Sequence, residues 1–285
     1  MPKERFHMLL AREAAGILSA TAKEGSFRLD TESYLLGAVM PDTLFYDIPR
    51  FTLSRVGRLL HRFQGEKGAR VCRKLLRGRQ ARRDPRYASW LLGFMSHLVA
   101  DAYWHGLVVY YSEPPFWPCR YYRLKPKSCH LWLEGQLEAQ WIPLVGPTEG
   151  FCDVLDRIRR ELYRTHPAPR YFRRWLGAVL PRHVPAEPSV RRCLYWQATL
   201  LRFFSDPRTD RLHEVLISTR WGRHLGSLVV PREARLAELM GQVPPRPAPN
   251  GLAPFDGRLL ARSVVDLAGR LSDALKEIPP GPELD

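Results

Sequence analysis

The sequence predicts an all-α protein, a multi-helix bundle with a metal cluster in its core. Apolar residues recur at helical spacing along most of the chain, and no stretch shows convincing strand alternation. A third observation comes from residues 93–106, where His97, Asp101 and His105 follow one another at four-residue steps. Because a helix turns about 100° per residue, these side chains share one face. Two imidazoles and a carboxylate suit a divalent metal of the zinc type, although polar groups facing solvent or bonded within the core remain the alternative.

The elements before this helix place further polar groups beside apolar faces. A helix over residues 7–21 begins at His7, and a second, capped by Asp30 or Thr31, must end before Pro41 because proline disfavours helical geometry in the preceding residue. Asp42 follows directly among apolar neighbours. We therefore expect its carboxylate to avoid bulk water, with a turn or capping role as the alternative.

Two more helices carry residues of the same kind. Residues 52–63 form an amphipathic pattern that includes His61, and Asp84 is placed to begin the central helix. After an aromatic, proline-rich loop over residues 110–128, Ser128 can cap a helix that carries His130 and Glu134 one turn apart. Taken alone, such a His and Glu pair is a weak signal.

The remainder of the chain is also predicted to be helical. We expect a domain over residues 1–165, additional helices packed on it over 166–242, a proline-rich linker over 243–257, and a C-terminal amphipathic helix and tail over 258–285. The last helix carries leucine and valine in register from residue 260 to residue 275.

The charge and cysteine content of the chain limit the kinds of partner and the cellular compartment that we expect for it. The net charge of +15 favours polyanionic partners such as nucleic acid, an anionic lipid surface or a phosphorylated substrate, although arginine-rich composition alone would also produce it. Residues 50–86 form the most basic block, either a solvated face or a collar for phosphate. The sequence shows no signal peptide and no membrane-length apolar run, so we expect a cytoplasmic protein. Five scattered cysteines argue against a disulfide framework and a zinc ribbon.

Histidines and carboxylates recur in one order through the first half of the chain, and this order resembles the zinc-dependent phospholipase C family. That all-α family is similar to the zinc single-strand nucleases, and its motif runs as an N-terminal His, Pro-Asp after a helix, a His, then H-x-x-x-D with a further His, then H-x-x-x-E/D. Within the family the pattern is closest to the N-terminal domain of glycosylphosphatidylinositol-specific phospholipase D and its bacterial relatives. The matching residues are His7, Pro41-Asp42, His61, His97, Asp101, His105, His130 and Glu134.

The resemblance implies two or three zinc ions. The ligands of the first would be Asp42, His61, His97 and Asp101. Those of the second would be His105, His130 and Glu134. A third would be served by His7 and a bridging Asp101. Secreted members also use the amine of an N-terminal Trp, which has no counterpart here; whether Pro2 could replace it after loss of Met1 is a hypothesis.

The implied chemistry is hydrolysis of a phosphodiester by a metal-bound water. Zinc lowers the pKa of bound water to about 7, and two metals can stabilise both the attacking and the leaving oxygen. Asp42 and Asp101 are the catalytic candidates: Asp42 would orient or deprotonate the water and Asp101 would bridge two metals. Arg62, next to His61, is a candidate for gripping the phosphate.

Three functions remain open at this stage. The first is a phospholipase-C-like hydrolase of a phospholipid or another phosphodiester. The second is a zinc nuclease acting on single-stranded nucleic acid, which the positive charge favours and for which aromatic residues between Tyr110 and Tyr122 could stack bases. The third is a non-catalytic helical protein that is stabilised by its metals.

Overall fold

The computed structural model describes residues 4–21, 27–113, 123–141, 149–204, 209–219, 222, 226–227 and 257–278. These residues are mostly helical and contain no strand, which confirms the all-α prediction. The α-helices are α1 (Glu4–Thr21), α2 (Thr31–Val39), α3 (Ser54–Leu60), α4 (Glu66–Leu76), α5 (Arg79–Arg83), α6 (Pro85–Ser112), α7 (Pro126–Trp141), α8 (Glu149–Arg157), α9 (Tyr163–Thr165), α10 (Ala168–Val179), α11 (Glu187–Phe204), α12 (Asp210–Ser218) and α13 (Gly257–Lys276).

Short non-α turns extend several of these helices. A 3-10 segment, Met40–Tyr46, continues α2, and the 3-10 turn His61–Phe63 continues α3. A π-helical stretch, Ile158–Leu162, joins α8 to α9, and Pro181–His183 forms a 3-10 turn between α10 and α11. The α-helical part of α2 therefore ends before Pro41, as predicted, but the chain keeps turning and carries Asp42 inward.

Two of the predicted N-caps form and one does not. The Asp30 carboxylate accepts from the backbone N–H of Ser33 at 2.8 Å, and Asp84 accepts from that of Tyr87 at 3.1 Å, at the start of α6. Each satisfies a backbone donor that the first helical turn leaves without a partner. The prediction for Ser128 is wrong because α7 already begins at Pro126, whose fixed φ favours the first helical position.

The long helix α6 is the centre of the bundle. It is the longest of the described helices and is buried along most of its length, including Trp90 and Phe94. Helices α1, α2, α4, α7, α10 and α13 all pack against it. In α10, Trp175 contacts Phe94 with ring centroids 4.6 Å apart, so apolar packing covers the side of α6 that faces this part of the chain.

A glycine pair lets α2 and α6 approach each other closely. A Cβ on Gly93 would lie 1.8 Å from the backbone oxygen of Tyr34, and one on Gly37 would lie 2.2 Å from that of Trp90. Any side chain at either position would force the helices apart. The close crossing lies one turn before His97 on α6 and just before the segment that carries Asp42.

The basic block forms a surface rather than part of the core. Of the described side chains between Arg50 and Arg86, most arginines and lysines are exposed. Arg77 forms an ion pair with Glu277, directly after α13, at 3.1 Å. Among the described residues, no helix combines the length and the apolar character that crossing a membrane requires.

The cysteines show one departure from expectation. Cys72 and Cys193 are buried free thiols, whereas Cys129 in α7 is disulfide-bonded. The odd, scattered set of cysteines did not predict this bridge. The cytoplasmic location stays a prediction.

The predicted domain boundaries also stay predictions. The helices after residue 166 pack on the first ones within the described part of the chain, with α11 and α13 contacting elements of the first half. Residues 243–256 of the proline-rich linker and residues 114–122 of the aromatic loop lie outside the described residues.

Candidate metal centre

His97 is positioned by its contact with the end of α2. It is fully buried, and its Nδ1 lies 2.7 Å from the backbone oxygen of Ala38. A carbonyl oxygen only accepts, so Nδ1 carries the proton and Nε2 presents its lone pair to the interior. Burial, together with the charge of His7, lowers the pKa of His97 to about 4, so the ring is neutral. A neutral imidazole fixed at Nδ1 by a backbone carbonyl is the usual form of a histidine that binds a metal through Nε2.

Asp42 and His61 join this ring from neighbouring turns. The His61 Nε2 lies 2.9 Å from Asp42 Oδ1 without hydrogen-bond geometry, and its Nδ1 lies 3.2 Å from Asp101 Oδ2. Asp42 Oδ2 is 3.6 Å from the His97 Nε2. Burial opposes protonation of His61, but its hydrogen bond to Asp101 and the negative charges of Asp42 and Asp101 outweigh it and raise its pKa to about 10. With no metal bound, a proton on His61 therefore balances part of the carboxylate charge.

Helix α1 contributes His7 to the same cluster. Its ring stacks on His97 with centroids 3.8 Å apart, and its Nε2 lies 3.4 Å from Asp101 Oδ1. Burial lowers the pKa of His7, but the adjacent Asp101 carboxylate more than compensates and raises it above the usual range. The two oxygens of Asp101 thus face different partners, His7 on one side and His61 on the other. A carboxylate divided in this way can bridge two positive centres.

A second cluster lies further along α6, where α7 packs against it. His105 Nε2 is 3.1 Å from His130 Nε2, and His130 Nε2 is 3.0 Å from Glu134 Oε1. Ligating atoms of His105, His130 and Glu134 all lie within 4.8 Å of one another, as do those of His7, His97 and Asp101. His130 is 18% exposed and Glu134 is buried, so this cluster reaches the surface on its histidine side.

A small cavity of about 20 Å³ lies between the two clusters. Its polar lining comes from both: His7 and Asp101 from the first, His105 and Glu134 from the second. Phe6, Trp104, Val108 and Leu137 provide the apolar part of its wall. A space of this size holds about one water-sized species among these ligating groups.

The residues present fit zinc. Imidazole nitrogens and carboxylate oxygens are zinc ligands, and each cluster offers at least three of them. Within the described part of the chain, several of these buried atoms have no hydrogen-bond partner, namely His7 Nδ1, His61 Nε2, His97 Nε2 and both oxygens of Asp42. Buried polar atoms without partners are costly, and a cation among them removes that cost.

The structure adds one residue that the sequence did not single out. Gln64 follows His61 by one turn, donates from Nε2 to Asp101 Oδ2, and contacts His61 Nδ1 at 3.0 Å. It therefore orients the Asp101 carboxylate beside the His61 ring. No feature of the sequence distinguishes this glutamine from one on a solvated helix face.

The structure brings together all eight residues proposed as ligands, while other predicted site features stay untested. Arg62 is exposed beside His61 and remains a prediction as a phosphate ligand. Pro2 lies outside the described residues, as do residues 114–122 of the aromatic loop.

Fold and site together define an all-α protein with candidate metal clusters buried at the centre of its bundle. The model of the zinc-dependent phospholipase C family matches residues 6–194, which is well over half of the 285 residues. The chain therefore belongs to the zinc-dependent phospholipase C family. The matched region extends past residue 165 into α11. Searches of the curated proteins and of the solved structures found no significant match.

Proposed function

We propose that this protein is a zinc-dependent phosphodiester hydrolase of the phospholipase C type. The observation that carries the proposal is the convergence of five histidines and three carboxylates, from α1, α6, α7 and two 3-10 turns, on two adjacent clusters in a member of this family. A purely structural core seldom gathers so many titratable groups, because their desolvation is costly without cations. We also propose that, within the family, the site resembles that of the N-terminal domain of glycosylphosphatidylinositol-specific phospholipase D.

The donors would be shared between the two clusters. His7, Asp42, His61, His97 and Asp101 would hold the inner metal or metals. His105, His130 and Glu134 would hold the outer one. When bound, zinc supplies a water of lowered pKa and a Lewis acid for the phosphoryl oxygens.

The remaining tasks fall to the chain itself. His61 and His130 are each 18% exposed, whereas His97 and Asp42 are fully buried, so a phosphodiester would reach the site from the side of His61 and His130. Asp42 would orient or deprotonate the attacking water.

The walls and the overall charge would assist binding. Phe6, Trp104 and Leu137 exclude bulk water from the space between the clusters, which strengthens electrostatic interactions there. The net charge of +15 attracts an anionic substrate. Membership of a phospholipase C family favours a phospholipid, and Arg62 would grip its phosphate.

A direct test compares three substrates with and without a chelator: phosphatidylcholine vesicles, bis-p-nitrophenyl phosphate and single-stranded DNA. We expect hydrolysis of the phospholipid and the small diester that is lost with chelator and restored by zinc. Preference for DNA would replace the substrate class with that of the nuclease alternative. A fully zinc-loaded chain that hydrolyses none of the three would support the non-catalytic alternative.

A further inference from the structure

The Asp42 side chain makes no hydrogen bond within the described residues that would fix the backbone around it. The segment is the 3-10 stretch Met40–Tyr46, directly after α2. The Asp42 carboxylate is completely buried, and neither of its oxygens makes a hydrogen bond to any residue that the structure describes. Apart from its 2.9 Å ion pair with His61, the carboxylate depends for its position on the contacts that fix the backbone on either side of it.

Helix α11 supplies those contacts through Gln197. The buried side-chain amide donates from Nε2 to the backbone oxygen of Val39 at 3.0 Å, and its Oε1 accepts from the Thr43 hydroxyl at 2.6 Å. One amide thus ties the last residue of α2 to the residue that follows Asp42. Its Nε2 also lies 3.4 Å from Glu4 Oε1. Both neighbours of Nε2 are acceptors, which fixes the orientation of the amide.

The same helix holds the chain just beyond the segment. Arg192, five residues earlier on α11, donates from Nη2 to Asp47 Oδ1 at 2.6 Å. The other oxygen of Asp47 accepts from the backbone N–H groups of Thr52 and Leu53, at 2.9 and 3.1 Å. The Asp42 segment is therefore fastened to α11 at both ends, by a buried neutral amide at one and a charge-assisted bond at the other.

We infer that Gln197, acting through Thr43 and Val39, is a positioning residue that holds Asp42 in ligating geometry beside His61 and His97. Gln197 lies outside the residues that match the family model, so the family relationship does not assign it this task. The inference gives α11 a function in building the metal centre. It rests on the proposed metal binding, though not on the identity of the substrate.

A matched pair of substitutions tests it. Thr43→Val keeps the shape of the side chain but removes the donor to Gln197, whereas Thr199→Val removes a hydroxyl on α11 that bonds, among the described residues, to the backbone oxygen of Tyr195. Thr43→Ser restores the hydroxyl and is the rescue variant. For each chain, zinc affinity is measured by competition with a chelator, and the visible absorption of the cobalt-loaded protein reports ligand geometry.

We expect Thr43→Val to weaken zinc binding by roughly 10–100-fold, as loss of an outer partner of a ligand does elsewhere, and to change the cobalt spectrum. Thr199→Val and Thr43→Ser should match the wild type. All measurements are made at a temperature where unfolding curves show each metal-free variant to be folded. A variant that fails this condition is replaced by Gln197→Met, which removes the bond to Thr43 from the other side together with the bond to Val39, and should weaken zinc binding at least as much.

The outcomes separate this inference from the proposed function. Wild-type zinc affinity and an unchanged cobalt spectrum in folded Thr43→Val or Gln197→Met would overturn the positioning role while leaving metal binding intact. Equal weakening in Thr43→Val and Thr199→Val would also overturn it, because the effect would then reflect loss of hydroxyls on packed helices in general. A wild-type chain that binds neither zinc nor cobalt would overturn both proposals.

Discussion

Replacement of Asp101 by asparagine is the most informative single change in the metal centre. Asp101 is buried, with Oδ1 3.4 Å from His7 Nε2 and Oδ2 3.2 Å from His61 Nδ1. Asparagine keeps the shape of the side chain but removes its negative charge. The substitution therefore tests whether that charge holds the cluster together, both with and without metal.

The expected magnitude follows from the burial of the charges. In the metal-free wild type, Asp101 raises the pKa of both His7 and His61. In Asp101→Asn both imidazoles lose this charged partner, and because they are largely buried, water cannot replace it. Breaking a buried ion pair by removal of one member costs about 3–5 kcal/mol. For the metal, loss of a directly ligating carboxylate should exceed the roughly 10–100-fold effect of an outer partner.

The assay combines two measurements. Urea unfolding in chelator gives the free energy of unfolding of the metal-free chain, and elemental analysis after dialysis gives the zinc retained per chain. The control is Asp266→Asn, which removes an exposed carboxylate 2.9 Å from Arg270 one turn away in α13. Such exposed pairs contribute about 0.3–0.5 kcal/mol. If Asp101→Asn kept the wild-type zinc content and lost no more stability than the control, the assignment of Asp101 to the cluster would be refuted.

Three further predictions follow from the same geometry. His130→Ala should remove the zinc of the outer cluster, measured by elemental analysis, because it takes away one of the three ligating groups there; retention of all zinc would contradict this. The pKa of His61 is raised to about 10, so protonated His61 stabilises the metal-free fold fully below its ordinary pKa, and this contribution is lost as the pH rises towards 10. The free energy of unfolding in urea should therefore fall less steeply over that pH range in His61→Gln than in the wild type. Gly93→Ala should lower the midpoint of unfolding strongly, since overpacking costs about 1–3 kcal/mol and its Cβ would lie 1.8 Å from the Tyr34 backbone oxygen, whereas Gly106→Ala has no atom within 4 Å of its Cβ and should not.

The sequence predicted those features that depend on local spacing. Steps of four residues on α6 placed His97 and Asp101 on one face, and a helix stop before Pro41 directed Asp42 inwards, where it is fully buried. The Asp30 and Asp84 caps are equally local, because each acts on a backbone N–H three residues later. Such patterns are written in neighbouring residues and need no knowledge of the rest of the fold.

Features that depend on contacts between distant residues could not be predicted in this way. Gln64 and Gln197 have no spacing that marks them. Their partners become apparent only when Gln64 lies against α6 and when α11 packs on the 3-10 segment that carries Asp42. The start of α7 was misplaced because Ser128, a good cap by type, follows Pro126, which is a good first residue by geometry. Where two local signals compete within three residues, sequence alone does not decide between them.

The distribution of these contacts explains how an unusual concentration of charge can be held at the centre of a helical bundle. The proposed ligands on α6 are fixed by the helix itself, and His97 is further held by the backbone oxygen of Ala38. Asp42, by contrast, lies on a 3-10 segment whose geometry is set from outside by α11. In such a cluster the residues on α6 are held by a continuous helix, whereas the position of Asp42 depends on a second helix, α11. Changes that loosen α11 should therefore reach the metals through Asp42 before they disturb α6.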